Sequence, residues 1–179
     1  MTKKAGIRML CLSAIFTALT VICTMINIPI PIGPVPINLA TLSVLLAGGI
    51  LGSKYGTLSQ LCYLLMGAIG LPVFSNFSGG LAKLFGPTGG YIWGYILAAF
   101  LVGMIVERFG TKVRFMIVGM AVGSAGCYLL GTIWFIFVTG STPAVALMTC
   151  VIPFLPGNTV KIAAACLLIP KLRKIVWKP

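Results

Sequence analysis

The sequence predicts an all-α, polytopic membrane protein with six transmembrane helices and with both termini in the cytoplasm. Of its 179 residues, 59% are hydrophobic and 8% are charged, whereas soluble domains carry about 25% charged residues. The hydrophobic residues form long runs, and one membrane span needs about 20 residues. The basic residues concentrate in alternate connections between these runs, which sets the orientation.

The first half of the chain predicts three helices. Helix 1 is expected at residues 7–26; its basic start resembles a signal peptide, but the apolar run is long enough to span. Four prolines make residues 27–36 an extended, apolar loop. Helix 2 is expected at residues 38–51 and helix 3 at 57–69, joined by a tight turn at 52–56.

The second half predicts a long structured loop followed by three spanning helices and one short helix. We expect the loop at residues 72–90, helix 4 at 90–106, a polar turn at 107–112, helix 5 at 113–138, a short helix at 144–151 and helix 6 at 158–172. Long loops in compact domains are often functional. The connections leave no room for a soluble domain, so residues 1–179 are expected to form one integral-membrane domain.

The charges support this topology and exclude several functions. Eleven of the 13 basic residues fall in the predicted cytoplasmic segments; Lys83 falls outside, and Lys161 lies within the bilayer. A net charge of +12 could indicate nucleic-acid binding, but the charges do not share one polar face. The multi-pass pattern instead predicts a location in a cell membrane, with lipid as the surroundings.

The sequence lacks the residues that enzymatic catalysis needs. The chain contains no histidine and one acidic residue, Glu107, in a predicted turn, so acid–base catalysis, nucleophilic triads and carboxylate metal sites have no parts. We expect no enzyme activity, no cofactor and no metal. A phosphate-binding loop is also missing from the sequence. The six cysteines form no C-x-x-C pair, which favours packing over metal or disulfide roles.

The stretch "LPGNTVKIAA" contains the most unusual residue, Lys161. This lysine lies eleven residues before the predicted end of helix 6 at Leu172, or roughly 16 Å, which is half of a ~30 Å hydrocarbon core. A charge at that depth is costly and indicates function. Two interpretations remain: the ammonium binds an anionic ligand, or it reaches outward to water.

Other residues are candidates for the same site. Asn158 is expected at the N-cap of helix 6, where it could cap the helix, contact a ligand, or do both. Asn76 lies between Phe74 and Phe77, which suits a flat, hydrogen-bonding ligand with an apolar body. Tyr91 and Trp93 could line the pocket or anchor the protein at the membrane interface.

Pairs of small residues four positions apart predict close helix contacts. They occur at residues 14 and 18, 48 and 52, 90 and 94, and 119 and 123. We expect most of these pairs to pack inside the helix bundle. Ala14 and Ala18 of helix 1 are instead assigned to contact with a partner protein.

Three segments together resemble the BioY family: "PVPINLATLSVLLAGGILG" at residues 34–52, "YLLMGAIGLPVFSNFSGGLAKLFGPTGGYIWGYILAAFLVG" at 63–103, and "PFLPGNTVK" at 153–161. These proteins are the biotin-binding S components of energy-coupling-factor (ECF) transporters. The resemblance implies six helices, binding of biotin from the outside, and energy supplied by a transmembrane T component and cytosolic ATPases.

The resemblance also implies roles for particular residues. Asn76, Asn158 and Lys161 would contact biotin, the proline-rich segment would close over it, and Ala14 and Ala18 would dock on the T component. Two positions depart from the family: Asn158 stands where aspartate is usual, and Ala40 where glutamine is frequent. Losing the aspartate leaves Lys161 without a counter-ion, which would strengthen anion binding or change the choice of ligand. A self-sufficient facilitator or small channel, with Lys161 selecting anions, is the alternative.

Overall fold

A computed structural model describes residues 3–28 and 37–177. Seven helices and two short strands cover most of these residues. They are α1 (Lys3–Met25), β1 (Asn27–Ile28), β2 (Ile37–Asn38), α2 (Ala40–Ala68), α3 (Leu81–Leu84), α4 (Gly89–Phe109), α5 (Val113–Thr139), α6 (Pro143–Cys150) and α7 (Phe154–Val176). The strands pair antiparallel, Asn27 with Asn38 and Ile28 with Ile37. Most of the predicted proline-rich loop lies outside the described residues.

Within the described residues, three helical segments are long and apolar enough to cross a membrane: Gly6–Met25, Gly89–Phe109 and Val113–Thr139. A fourth candidate is the pair α6 and α7, two helices bent by 46° at a short break. The prediction of an all-α membrane protein is therefore confirmed at the level of three or four candidate spans. The bend between α6 and α7 shows an interruption before Lys161, but it lies at residues 151–153, about two helical turns before this lysine.

Helix α2 replaces the two separate helices of the sequence prediction. It is broken at Gly52 alone, with φ of 86° and ψ of −178°, and helical geometry resumes at once, so the predicted turn at 52–56 was too long. A Cβ at Gly56 would lie 2.8 Å from the carbonyl oxygen of Ala47, which shows that the two halves touch beside the break. Each half, 40–51 or 53–68, is shorter than the ~20 residues of a full span.

Polar side chains satisfy the backbone groups that the break leaves open. Glu107 accepts hydrogen bonds from the backbone N–H of Ser53 (3.0 Å) and from its hydroxyl (2.7 Å), at the start of the second half. Arg173 of α7 donates to the carbonyl of Gly49 at 2.7 Å. The indole N–H of Trp177 donates to the carbonyl of Ile50 at 2.9 Å. These contacts stabilise the end of the helix bundle that the sequence predicts to be cytoplasmic.

A line of hydroxyl groups joins α1 to α2, and the sequence analysis did not identify it. Ser13, Thr17, Thr20 and Thr24 are each at most 4% exposed. Their bonds across the interface reach the carbonyl of Tyr55, the carbonyl of Ser59, the hydroxyl of Ser43 and the hydroxyl of Tyr63, respectively. We call this interface the α1–α2 seam. Hydrogen bonds of this kind hold helices together where the surroundings are apolar.

Helix α7 begins earlier than the sequence suggested. It starts at Phe154 after Pro153, whereas the prediction started it at Asn158. Pro156 falls in its first turn, where a missing backbone N–H costs nothing. The interpretation of Asn158 as an N-cap was therefore wrong, since Asn158 lies in the second turn. Gly157 is likewise inside the helix and not at the break.

Candidate ligand-binding site

One cavity lies where the start of α2, the second half of α2, the loop after it, α4, α5 and α7 meet. Its lining combines neutral polar groups, aromatic rings and two lysines. The residues are Thr24, Asn38, Thr41, Tyr63, Phe74, Ser75, Asn76, Lys83, Thr88, Tyr91, Ile92, Tyr95, Tyr128, Phe154 and Lys161. Ligand sites commonly have this composition, an apolar wall with a few convergent polar groups.

Lys161 is the buried charged group of this cavity. Its side chain is 8% exposed, which excludes the alternative in which it reaches outward to water. Its ammonium donates to the backbone carbonyl of Asn38 at 2.6 Å and to the hydroxyl of Thr41 at 2.8 Å. Both partners are neutral, and an ammonium has three N–H donors. Among the residues that the structure describes, the charge is thus buried without a counter-ion, and one of its three donors is left for a further partner.

Asn38 connects the lysine to the loop that follows α2. Its amide N–H donates to the hydroxyl of Ser75 at 2.9 Å, and its amide oxygen accepts from the backbone N–H of Ala40 at 3.1 Å. Asn38 therefore uses its backbone carbonyl, its side-chain amide oxygen and its side-chain amide nitrogen at the same time. These bonds fix the start of α2. Ala40 has no exposed surface, and its backbone takes part in this arrangement.

Aromatic rings form the apolar wall. Tyr63 and Phe74 pack edge to face with centroids 5.4 Å apart, and Tyr63 lies 6.3 Å from Tyr95. The hydroxyl of Tyr63 is bonded to Thr24 at 3.1 Å. The hydroxyl of Tyr91 is within 3.4 Å of the carbonyl of Cys150, so the polar end of this cavity-lining residue is satisfied by the protein.

Four residues of the predicted site line this cavity: Phe74, Asn76, Tyr91 and Lys161. Asn76 adopts the left-handed conformation with φ of 61° and ψ of 37°, which asparagine tolerates better than most residues. Its side chain is exposed, at the rim of the cavity. The sequence therefore located the lysine, one amide and two of the rings.

Three predicted residues lie elsewhere. Asn158 is buried on the same side of α7 as Lys161, but its amide oxygen accepts from the hydroxyl of Ser124 at 3.4 Å, and it does not line the cavity. Phe77 is 73% exposed. Trp93 lines a separate apolar groove with Phe85 and neighbouring residues. For Trp93 the reason is helical: two residues beyond Tyr91, a side chain points to another face.

The sequence analysis missed Asn38, Thr41, Tyr63, Tyr95 and Lys83, which line the cavity. Asn38 and Thr41 fall at the start of predicted helix 2, Tyr63 and Tyr95 fall within predicted helices 3 and 4, and Lys83 was predicted on the outer side of the membrane. Only their common position around Lys161, which is 120 residues from Thr41 in sequence, identifies them, and no local pattern contains that information.

Ala14 and Ala18 are both exposed, on a face of α1 turned away from the α1–α2 seam. The surrounding exposed residues include Ile7, Ile15 and Ile22, each 60% exposed. This face is therefore accessible to lipid or to another protein. The assignment of the two alanines to a partner remains a prediction.

The apolar helices, together with a cavity that has an aromatic wall and a few polar groups, define the class of this chain as a helical membrane protein with an internal cavity. The sequence profile of the BioY family matches residues 1–178. The chain belongs to the BioY family.

Relatives of similar length support this assignment. The biotin transporter BioY of Thermotoga maritima is 40% identical over 168 residues, which cover 94% of this chain and 97% of the relative. The probable biotin transporter BioY of Pyrococcus horikoshii is 40% identical, covering 90% of this chain and 94% of the relative. A crystal structure of the S-component for biotin from an ECF-type ABC transporter is similar, with a TM-score of 0.90 and 32% identity. That similarity covers 97% of this chain and 95% of the other.

Proposed function

We propose that this protein is the S component of an ECF transporter and that it binds biotin in the cavity around Lys161. The observation that carries the proposal is the buried ammonium with neutral partners only. The valerate carboxylate of biotin would supply the missing negative charge. The names of the relatives and of the solved structure support biotin as the ligand.

The remaining walls suit the rest of the ligand. The fused rings of biotin are compact and largely apolar, and the rings of Tyr63, Phe74, Tyr91 and Tyr95 form a matching surface. The ureido group needs donors and acceptors together, and an asparagine amide supplies both. We assign that contact to Asn76 at the rim of the cavity. Asn158 would act behind Lys161 through its bond with Ser124.

A thermal-stability screen of purified protein in detergent tests the ligand. We expect biotin to raise the melting temperature in a saturable way, because a ligand that binds only the folded state stabilises it by RT ln(1 + [L]/Kd). Other carboxylated vitamins at the same concentration serve as controls. If an unrelated acid raised the melting temperature as much as biotin, the cavity would be a general anion site. If biotin did not raise the melting temperature, biotin would not be the ligand.

We further propose six membrane-crossing segments, with both termini on the cytoplasmic side of a prokaryotic plasma membrane. The segments would be α1, the two halves of α2, α4, α5 and the pair α6–α7. The predicted charge distribution supports this orientation, because exposed Lys54 and Lys174 fall on the same side as Arg173 and away from Lys161. Single cysteines at 54 and 83 in a cysteine-free background should react from opposite sides of sealed vesicles.

Transport would require a T component and cytosolic ATPases, since the sequence contains no nucleotide-binding loop. Proteoliposomes with this chain alone should bind biotin without accumulating it. Ala14→Trp and Ala18→Trp should abolish uptake in the assembled transporter and leave biotin binding intact, because both alanines face outward. Concentrative uptake by the chain alone would contradict the proposal, and fast, non-saturating flux would favour the channel alternative.

A further inference from the structure

The amide of Gln60 lies in the middle of the α1–α2 seam. Its side chain has no exposed surface, and Gln60 is the only glutamine in the sequence. It belongs to the second half of α2, one helical turn before Tyr63. Neither the ligand cavity nor the helix break uses this group.

The amide nitrogen is satisfied by the protein, and the amide oxygen is not. The Nε2 group donates to the hydroxyl oxygens of Thr20 at 3.2 Å and Ser59 at 3.1 Å. The Oε1 atom is buried and has no hydrogen-bond partner in the part of the chain that the structure describes. A buried polar atom without a partner is destabilising, so native proteins generally supply one.

Exchanging the positions of the Gln60 amide oxygen and nitrogen does not give every polar atom a partner. The hydroxyl of Thr20 lies 2.8 Å from the carbonyl of Phe16, and the hydroxyl of Ser59 lies 2.7 Å from the carbonyl of Gly56. Each hydroxyl has one proton, and those carbonyls accept it. A reversed amide would therefore place its oxygen against two acceptors and leave its NH2 group unpaired instead. In either orientation one end of the Gln60 amide needs a further polar partner.

We propose that an ordered water molecule is bound to the Gln60 amide oxygen inside the α1–α2 seam. The surroundings are polar, since the hydroxyl of Ser43 lies 2.9 Å from that of Thr20, which itself accepts from the Gln60 amide nitrogen. Buried waters typically satisfy polar atoms that the protein leaves unpaired. With this water, the centre of the α1–α2 seam is hydrated.

The ligand cavity offers the route by which this water enters. Thr24 and Tyr63 line the cavity, and their hydroxyls are bonded at 3.1 Å. Thr24 follows Thr20 by one turn of α1, and Tyr63 follows Gln60 by nearly one turn of α2, about 5 Å along each axis. The bonded pair therefore separates the cavity from the proposed water by one layer of side chains. This inference does not depend on which ligand the cavity binds.

Proton-detected solid-state NMR in lipid nanodiscs tests the proposal on the intact chain. In protein whose glutamine and asparagine side chains both carry 15N, Gln60 gives the one glutamine amide signal, and Gln60→Met should abolish it; Asn38→Ala identifies the Asn38 signal in the same way. We expect a cross peak from this NH2 group to the water resonance, of intensity comparable to that of Asn38 at the cavity. No water cross peak at Gln60 while Asn38 shows one would overturn the proposal. So would an experimental structure in which a protein donor reaches the amide oxygen.

Discussion

Replacing Lys161 by methionine removes one charge while keeping a long, unbranched side chain. In the free protein this change has opposing effects. The desolvation of a buried ammonium is relieved, whereas the carbonyl of Asn38 and the hydroxyl of Thr41 lose a donor. We therefore expect a small change in the melting temperature of the free protein, so that a loss of binding can be interpreted.

The effect on binding should be much larger. Truncating one partner of a buried, hydrogen-bonded charge pair costs about 2–5 kcal/mol. A loss near the middle of that range, about 3.5 kcal/mol, corresponds to a biotin affinity lower by a factor on the order of 300. The reason is that the carboxylate would enter the cavity without its buried positive partner. The neutral Asn38 and Thr41 offer it no charge, and Lys83, the other lysine of the lining, is only partly buried.

Equilibrium binding of biotin and of its methyl ester to both proteins isolates the contact. The wild type should prefer the acid strongly. The Lys161→Met variant should bind acid and ester with similar affinity, because the ester carries no charge to be matched. If the variant retains the wild-type preference for the acid, the carboxylate does not meet Lys161 and the orientation of the ligand in the cavity must be reversed.

Two further substitutions test the α2 break. Arg173→Ala should lower the melting temperature, because the loss of a hydrogen bond from a charged donor costs ~1–3 kcal/mol of stability. Biotin affinity should not change. The control Lys174→Ala, at an exposed neighbouring residue, should change neither the melting temperature nor the affinity. Gly52→Ala should lower the melting temperature more than Gly110→Ala does. Both glycines have similar positive φ, 86° and 78°, worth ~1–3 kcal/mol of strain, but only at position 52 would a Cβ collide with the Glu107 carboxylate. Equal losses at the two glycines would contradict the close contact.

The helices were predictable because long apolar runs and Pro or Gly breaks are local signals. The ends of α4 and α5 agree with the prediction to within a few residues, because Gly110 and Gly140 follow them with positive φ. The start of α7 was misplaced because Pro156 was taken as a helix breaker, although proline is compatible with a first turn. The single-residue break of α2 was also missed, since only tertiary contacts at Gly52 reveal how short it is.

The site was less predictable than the fold. Lys161 stood out because a charge within an apolar helix is rare and costly. The groups that hold it, Asn38 and Thr41, are neutral and occur at a helix start, where such residues need no functional explanation. Their role depends on contact between segments more than 100 positions apart, as the bond from Lys161 to Thr41 shows.

The geometry of α7 against the first half of α2 explains why an anion is required at one end and not at the other. Lys161 contacts the start of this half-helix, at Asn38 and Thr41, and Arg173 contacts its end, at Gly49. A helix carries partial negative charge at its C-terminus and partial positive charge at its N-terminus. Arg173 is therefore stabilised by the end it touches, whereas Lys161 adds a full positive charge to a positive end. The one acidic residue in the sequence, Glu107, is already bonded to Ser53, so the carboxylate of the proposed ligand would supply the missing negative charge beside Lys161.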